Sequence, residues 1–391
     1  MSKNNPLFKF AILSISLICM VAPAVSATVP DILSVFPNRS AGSIELLMSV
    51  PNFGIFLFVF IAPMITRKIG DKPTVLLGLT IALLAGVTPA FTTNYTLLLV
   101  SRFLLGCGIG LFNALAYSLI TKYYSGEERN RLLGYQGALT ALGSTIFSLI
   151  AGWLLQFNWH LSYLVYFIAI IPIILFGFVV PNGQQDLEEN ASDEKVTIER
   201  AVIFYSVYLF FVYAFFMTAI FKLASLFIEM GIGTPAQASL SLAILTACGF
   251  FSGIVFGKVK QGLKSFTGPV AVACLGVALG SLSLVNHLVL VTLLVIAIGF
   301  FQGLINPTVF SEVAEVSNAA SQNIASTCLL VGINLGVFLN PTIISGFSKL
   351  AGITTTSTTF LLSGALLLIS AVIYQLFIQA QNKKVKKVME Q

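Results

Sequence analysis

Charged residues are scarce in this sequence. Only 9% of its 391 residues are Asp, Glu, Lys or Arg, whereas 57% are hydrophobic, and the mean hydropathy is +0.94. A water-soluble chain is about a quarter charged, so charge this sparse excludes a soluble globular protein. Residues 73–121 carry one charge, Arg102, and residues 132–185 carry none.

Sequence motifs of metal, nucleotide and disulfide chemistry are also missing. The five cysteines are irregularly spaced and form no CxxC pair, which argues against a zinc site or a disulfide framework. No phosphate-binding lysine loop is present, so ATP-driven transport by this chain has no support. The GxGxG at 106–110 has no surrounding strand and is not a dinucleotide loop. Catalytic constellations are absent, and the sequence therefore predicts a protein that is not an enzyme and uses no cofactor or metal.

What the sequence does contain is long apolar runs. A membrane-spanning helix needs about 20 mostly apolar residues, and the runs predict an all-α integral membrane protein of twelve spans in two pseudo-symmetric six-helix bundles. Lys3, Lys9 and the VSA at 25–27 also resemble a signal peptide, but an even number of spans favours a retained first helix. The predicted spans are 8–28, 46–66, 73–93, 96–120, 132–155, 161–181, 201–225, 236–257, 266–284, 288–311, 322–346 and 356–379.

The loops between these spans differ in charge. With twelve spans, seventeen Lys and Arg residues fall on one side of the membrane and only Arg39 and Lys349 on the other. The positive-inside rule then places both termini in the cytoplasm of a bacterial-type cell, with the protein in the plasma membrane. The net charge of +6 therefore reflects topology and not nucleic-acid binding. Membrane lipid is an expected partner, and the lysines at 383–387 are either a solvated tail or a contact for anionic lipid.

A polar segment divides the spans into two groups of six. We predict an N-terminal bundle over 1–181, a cytoplasmic linker over 182–200 and a C-terminal bundle over 201–391. The charged turn after span two has a counterpart at 257–264, GKVKQGLK, about half a chain length later. Internal repeats of this kind are common in secondary transporters, where the substrate site lies between the halves near the middle of the membrane.

Several short stretches resemble the major facilitator superfamily. The turn PMITRKIGDK at 63–72 is similar to the family's signature after span two, with Gly70 and Lys72 matching and Lys68 basic, but with the family's aspartate and arginine exchanged at Arg67 and Asp71. LVSRFLLGCGIG at 99–110 resembles the second motif, and LGVFLNP at 335–341 resembles stretches of efflux members. The proline of the antiporter motif is missing from span five. In the family the turn latches the two halves, and this resemblance implies a gating turn at 67–72.

The resemblance implies a transporter of the major facilitator fold. We expect a monomer that works by alternating access and exports a small organic or drug-like molecule in exchange for protons. An uptake symporter or sugar exporter is the alternative within transport. A transport-inactive membrane sensor or assembly partner is the alternative of another class, motivated by the altered turn and by the lack of a carboxylate in the middle of any span.

Four charged residues are candidates for proton coupling or substrate binding. Arg102 lies inside span four, where it either acts in coupling or anion binding or packs against backbone carbonyls. Lys222 in span seven either exchanges protons or extends toward the surface. Glu45 and Asp31 flank the first outer loop, and Glu45 is either a coupling carboxylate or a helix N-terminal charge. Glu312 and Glu315 are expected to be solvated.

Amides and glycines complete the predicted set. Amides in or near spans either line a polar cavity or bond between helices: Asn113, Gln136, Gln302, Asn306, Asn334 and Asn340. Seven glycines are predicted to allow close helix packing: Gly106, Gly108, Gly249, Gly253, Gly257, Gly332 and Gly336. The last five lie at the four-residue spacing of small residues in close helix contacts.

Overall fold

A computed structural model describes residues 6–19, 21–181, 199–317 and 322–389. Throughout these residues the regular secondary structure is helical, which confirms the all-α prediction. Most of the predicted linker, residues 182–198, lies outside the described residues, as does Lys3.

Twelve helices or broken helices follow one another along the described residues. We number them α1 (Pro6–Leu17 and Ala22–Val35), α2 (Ala41–Ile69), α3 (Asp71–Phe91), α4 (Tyr95–Tyr123), α5 (Gly126–Leu155), α6 (Leu161–Val179), α7 (Arg200–Glu229), α8 (Pro235–Leu263), α9 (Thr267–Ser281), α10 (Leu288–Val316), α11 (Gln322–Leu350) and α12 (Thr356–Met389). Every predicted span falls on one of these helices.

Nine helical segments within the described ranges are long and apolar enough to cross a membrane. One of them, Pro235–Leu284, contains both α8 and α9, which are joined by a turn where Lys264 has φ 48°. A tenth candidate is α1, whose two parts meet at a bend of 40°. The sequence predicted the first span over 8–28, and in the structure regular helix ends at Leu17 and resumes at Ala22 within this range.

Local sequence sets the helix ends. The Ser40 hydroxyl accepts a hydrogen bond from the Ser43 amide, and the Asn94 side chain accepts from the amides of Thr96 and Leu97, so both residues act as N-caps. Gly70 is the single residue between α2 and α3 and has φ 90°, a conformation that a residue with a side chain rarely adopts. This glycine allows the chain to reverse direction within the predicted gating turn.

Glycines bring α4 into contact with two neighbouring helices. A Cβ atom added at Gly106 would lie 1.9 Å from the carbonyl oxygen of Pro51 on α2, and one at Gly108 would lie 2.6 Å from the carbonyl oxygen of Gly78 on α3. Side chains at these two positions would force the helices apart. Arg102 lies one turn before Gly106, so this close packing sets the position of Arg102 along α2 and α3.

The chain divides into two compact units. The first contains α1 to α6 together with residues 223–225 and 233–243, and the second contains the remaining helical residues from Arg200 onward. In the first unit the buried side chains come from all six helices, and in the second from α7 to α12. The domain boundaries at 181 and 200 remain a prediction.

Candidate functional site

Arg102 on α4 is buried in the first unit, with 1% of its surface exposed. Its guanidinium donates hydrogen bonds to the carbonyl oxygen of Ala22 at 2.9 Å, to the carbonyl oxygen of Leu47 at 3.2 Å and to the hydroxyl of Tyr166 at 2.7 Å. One side chain therefore connects α4 with α1, α2 and α6. Bonds to backbone carbonyls are what a packing arginine was expected to make.

Two tyrosines on α6 complete the surroundings of the guanidinium. The rings of Tyr163 and Tyr166 both have their centres 5.7 Å from its central carbon, within the range of cation–π attraction. The Tyr166 hydroxyl also lies 3.5 Å from the carbonyl oxygen of Val21. Regular helix in α1 resumes at Ala22, directly after Val21. Arg102 and Tyr166 therefore bind the backbone at the point where regular helix is interrupted. Neither tyrosine was predicted as a site residue.

The two predicted carboxylates of the first unit have different surroundings. Glu45 lies on the first turns of α2 with only 3% of its surface exposed, two residues before Leu47, whose carbonyl binds Arg102. Ionisable residues buried in membrane helices are functional candidates by default. Asp31 is half-buried in the last part of α1, and it borders a cavity discussed below.

Lys222 lies on α7 in the second unit and is half-buried. It is close enough to Glu229 for the two charges to attract. The Glu229 carboxylate accepts hydrogen bonds from the amides of Thr356, at 2.7 Å, and Ser357, at 3.0 Å. These are the first two residues of α12, so Glu229 caps that helix, and its negative charge interacts favourably with the helix dipole.

The gating turn makes an ion pair that the sequence did not predict. The Asp71 carboxylate accepts a hydrogen bond from Lys122, at the end of α4, with the two atoms 3.0 Å apart. The second unit has a counterpart, in which Lys260 at the end of α8 donates to the hydroxyl of Ser311 at 2.6 Å and lies 3.4 Å from Glu315. Sequence separation is 51 residues in both the Lys122–Asp71 and Lys260–Ser311 pairs, as expected for an internal repeat.

A polar cluster in the second unit unites two of the predicted amides. The Tyr213 hydroxyl on α7 accepts hydrogen bonds from Gln302 at 2.9 Å and Asn306 at 2.7 Å, both on α10. The Oδ1 atom of Asn306 is buried and has no hydrogen-bond partner among the described residues. The cluster therefore retains a free acceptor, and the Tyr213 proton is free to donate. Tyr213 was not predicted, since its helix is rich in Phe and Tyr and nothing in the pattern distinguishes this hydroxyl.

The other predicted amides differ in their surroundings and hydrogen-bond partners. Asn340 is fully buried on α11, and its Nδ2 atom donates to the Ala214 carbonyl at 2.5 Å and the Thr218 hydroxyl at 3.3 Å, which ties α11 to α7. Asn334 bonds its own helix at Leu330, and Asn113 is half-buried on α4. Gln136 on α5 is buried, and neither atom of its side-chain amide has a hydrogen-bond partner in the part of the chain that the structure describes.

The predicted glycines fall into two groups. Cβ atoms at Gly332 and Gly336 on α11 would each lie 2.2 Å from a carbonyl oxygen of α7, so both glycines allow close contact, as do Gly106 and Gly108. Gly249 has a looser neighbour, the Gly299 carbonyl at 3.4 Å. Gly253 and Gly257 have open space instead, since no atom of the described residues lies within 4 Å of an added Cβ.

Glu312 on α10 differs from its expected solvated state. Its carboxylate accepts a hydrogen bond from the Tyr374 hydroxyl at 2.6 Å and is half-buried in the second unit. Glu315 is exposed, as expected. In the described parts of the chain, no three His, Cys, Asp or Glu side chains are grouped closely enough to hold a metal ion.

Comparison with known proteins gives a consistent result. A family model described as the Major Facilitator Superfamily matches residues 10–326. "Sugar transport protein 10" of Arabidopsis thaliana is 26% identical over 39% of this chain and 30% of its own length. "Protein TsgA homolog" of Buchnera aphidicola is 25% identical over 40% of each chain, and "Niacin transporter NiaP" of Acinetobacter baylyi is 27% identical over 30% of this chain and 27% of its own. The matches thus span less than half the length of these relatives.

Among solved structures, the chain is similar to one titled "In meso crystal structure of the POT family transporter PepTSo". The TM-score is 0.75, with coverage of 96% of this chain and 98% of that one, at 11% sequence identity. At this identity, the likeness concerns the fold alone.

Proposed function

Because the chain belongs to the Major Facilitator Superfamily, a family of transporters with twelve-helix all-α membrane folds, we propose that it is a secondary transporter that exports a small organic molecule in exchange for protons. It works by alternating access, with six helices on each side of the substrate path. It acts as a monomer in the plasma membrane of a bacterial-type cell with both termini in the cytoplasm, in keeping with the charge difference between its loops.

The observation that carries this proposal is the cluster of Tyr213, Gln302 and Asn306. Polar groups within membrane helices are costly and mark substrate paths. The amides of Gln302 and Asn306 fix the position of the Tyr213 oxygen, which leaves the hydroxyl proton and the Asn306 Oδ1 atom for a ligand. One donor beside one acceptor fits a neutral hydroxyl or amide group. The substrate we propose therefore carries such a group.

Glu45 is the residue we propose for proton coupling. It is the most buried of the predicted carboxylates, at 3% exposure, and it lies on the helix whose Leu47 carbonyl binds Arg102. Protonation of a carboxylate in this position removes a charge from a region of low dielectric, which changes the stability of one conformation against another. Arg102 acts in this scheme by positioning α1 and α2.

The second candidate function is uptake of a sugar-like or similarly compact polar solute with protons. The names of two relatives, a sugar transport protein and a niacin transporter, favour compact polar organic molecules over bulky drugs. The direction of transport distinguishes the two functions, and the Tyr213 cluster is compatible with either direction.

The test is transport by purified protein in liposomes that contain a panel of labelled sugars, polyols, carboxylic acids and cationic dyes, under an imposed pH gradient. We expect one class to move only with the gradient, Asn306→Ala and Tyr213→Phe to reduce transport at least tenfold, and Glu45→Gln to retain solute exchange while losing the response to pH. Asn334→Ala, at an amide bonded within its own helix, is the matched control. If no panel member moves under any gradient, the transport-inactive sensor is supported instead.

A further inference from the structure

A cavity of about 700 Å³ lies in the first unit, at the end remote from the loops rich in Lys and Arg. The end of α1, the end of α5 and the first turn and a half of α8 form its walls. The Ser239 hydroxyl donates to the Ser148 carbonyl at 2.7 Å, and a Cβ at Gly152 would lie 2.5 Å from the Ser239 Cβ. This contact between α5 and α8 fixes the walls. The volume is typical of a small-molecule site.

The lining combines one acidic group with an aromatic wall. Asp31 borders the cavity, and its carboxylate has no hydrogen-bond or ion-pair partner within the residues that the structure describes. Trp153 supplies an indole ring, and Gln156 and Gln237 supply amides. Among the residues that the structure describes, no Lys, Arg or His lines the cavity. Its only charge is therefore negative, and a half-buried carboxylate without a counterion favours a cationic ligand.

The start of α8 does not offer a competing anion site. Thr234 and Gln237 cap each other, since the Thr234 amide donates to the Gln237 side chain at 2.8 Å and the Gln237 amide donates to the Thr234 hydroxyl at 3.3 Å. Position 235 is proline, which has no amide proton. The donors of this helix end are thus largely satisfied or missing, and the carboxylate dominates the field in the cavity.

We propose that this cavity is a second ligand site, separate from the Tyr213 cluster, which binds an organic ammonium ion through the Asp31 carboxylate and the Trp153 ring. The ammonium forms a charge-assisted hydrogen bond with Asp31, and the apolar part of the ligand packs on Trp153 and Leu149. The same chemistry is available from a free amine or from the headgroup of an ethanolamine lipid.

The sequence provides a built-in reporter for the test. Trp153 and Trp159 are the two tryptophans of the chain, and Trp159 is buried against His160 with ring centres 3.7 Å apart. A Trp159→Phe variant leaves Trp153 as the single indole. Its fluorescence in detergent is titrated with 4-phenylbutylammonium and, in parallel, with the uncharged analogue 4-phenylbutanol.

We expect saturable quenching by the ammonium compound, at least tenfold weaker binding of the alcohol, and loss of this difference in Asp31→Asn. Glu127→Gln, which removes an exposed acid at the other end of the same unit, keeps the difference. Equal binding of the two compounds, or an unchanged preference in Asp31→Asn, overturns the proposal, as does non-saturable quenching caused by partition into the micelle.

Two further measurements complete the design. Calorimetric titration of the protein with both tryptophans repeats the comparison without the Trp159 substitution. Titration in nanodiscs separates the sources of the ammonium group. A lower apparent affinity in phosphatidylethanolamine than in phosphatidylcholine, which has the same net charge but no N–H to donate, identifies the lipid headgroup as the natural occupant, while equal affinity identifies a free amine. Both results support an ammonium site. Neither depends on substrate transport, so the outcome is independent of the proposed function.

Discussion

The guanidinium of Arg102 donates a hydrogen bond to the backbone carbonyl oxygen of Ala22, 2.9 Å away, at the point where α1 resumes after its bend. A side chain of α4 thus binds the main chain of α1. The acceptor is a main-chain atom, so the Ala22 side chain takes no part in this bond, whereas the donor belongs to the side chain at position 102.

We therefore predict that Arg102→Ala destabilises the protein by on the order of 3 kcal/mol, because two carbonyls and the Tyr166 hydroxyl lose a charged donor in a buried place. The measurement is the loss of folded protein on heating, followed by size-exclusion chromatography. Arg39→Ala is the control, since exposed Arg39 only stacks on the Tyr95 ring at 4.5 Å, and it should cost less than about 1 kcal/mol. Equal melting of the two variants would contradict the positioning role.

A second prediction concerns the contact of α4 with α2. Gly106→Ala places a methyl group 1.9 Å from the Pro51 carbonyl oxygen, so the helices must separate, and we expect a loss of at least about 2 kcal/mol. The same change at Gly253, where nothing lies within 4 Å, should be neutral or stabilise by up to about 1 kcal/mol. Thermal melting of both variants checks the pair. Similar losses of stability at both positions would contradict the prediction, because they would show that close packing at Gly106 does not determine the effect of the substitution.

The carboxylate at the start of α12 gives a third prediction. Glu229→Gln removes the charge that accepts the amides of Thr356 and Ser357, and we expect a loss of about 1 kcal/mol with faster hydrogen exchange of these two amides. Glu315→Gln serves as control, because that side chain is 71% exposed and its pair with Lys260 should contribute under about 1 kcal/mol. Unchanged exchange in Glu229→Gln would mean that water replaces the cap.

Topology is the subject of a fourth prediction. A fluorescent protein fused after Gln391 should fluoresce, and alkaline phosphatase fused at the same place should be inactive, because twelve spans return the chain to the cytoplasm. Phosphatase fused after Asn94, in the turn between α3 and α4, should be active. Active phosphatase after Gln391 would contradict the even number of spans, and with it the prediction of two six-helix bundles.

The helices could be predicted from the sequence because an apolar run longer than about 20 residues has few alternatives to a membrane helix. Gly332 and Gly336 could be assigned to packing from their four-residue spacing on α11, and the structure shows close contacts at both. Gly253 and Gly257 have the same spacing and open space, since spacing identifies a face of a helix without revealing what lies opposite.

The candidate site was less predictable, for a physical reason. Arg102 could be chosen because a charge inside a span is costly, but its partners Ala22 and Leu47 contribute only backbone carbonyls, which every residue has. Tyr213 and Tyr374 act through hydroxyl groups on helices crowded with aromatic residues, so hydropathy gives them no distinct signal. Glu312 was expected in water because it lies near a helix end, but the carboxylate is half-buried and accepts a hydrogen bond from Tyr374 on α12.

The bend in α1 has a consequence for how the protein is made. The carbonyl oxygens of Val21 and Ala22 accept hydrogen bonds from two side chains that follow 145 and 80 positions later in the sequence. When the first span leaves the ribosome, the residues that will secure its bend have not been translated. Arg102 arrives with the fourth span and Tyr166 with the sixth, and only then can the opening segment of the chain settle into its final shape in the bilayer.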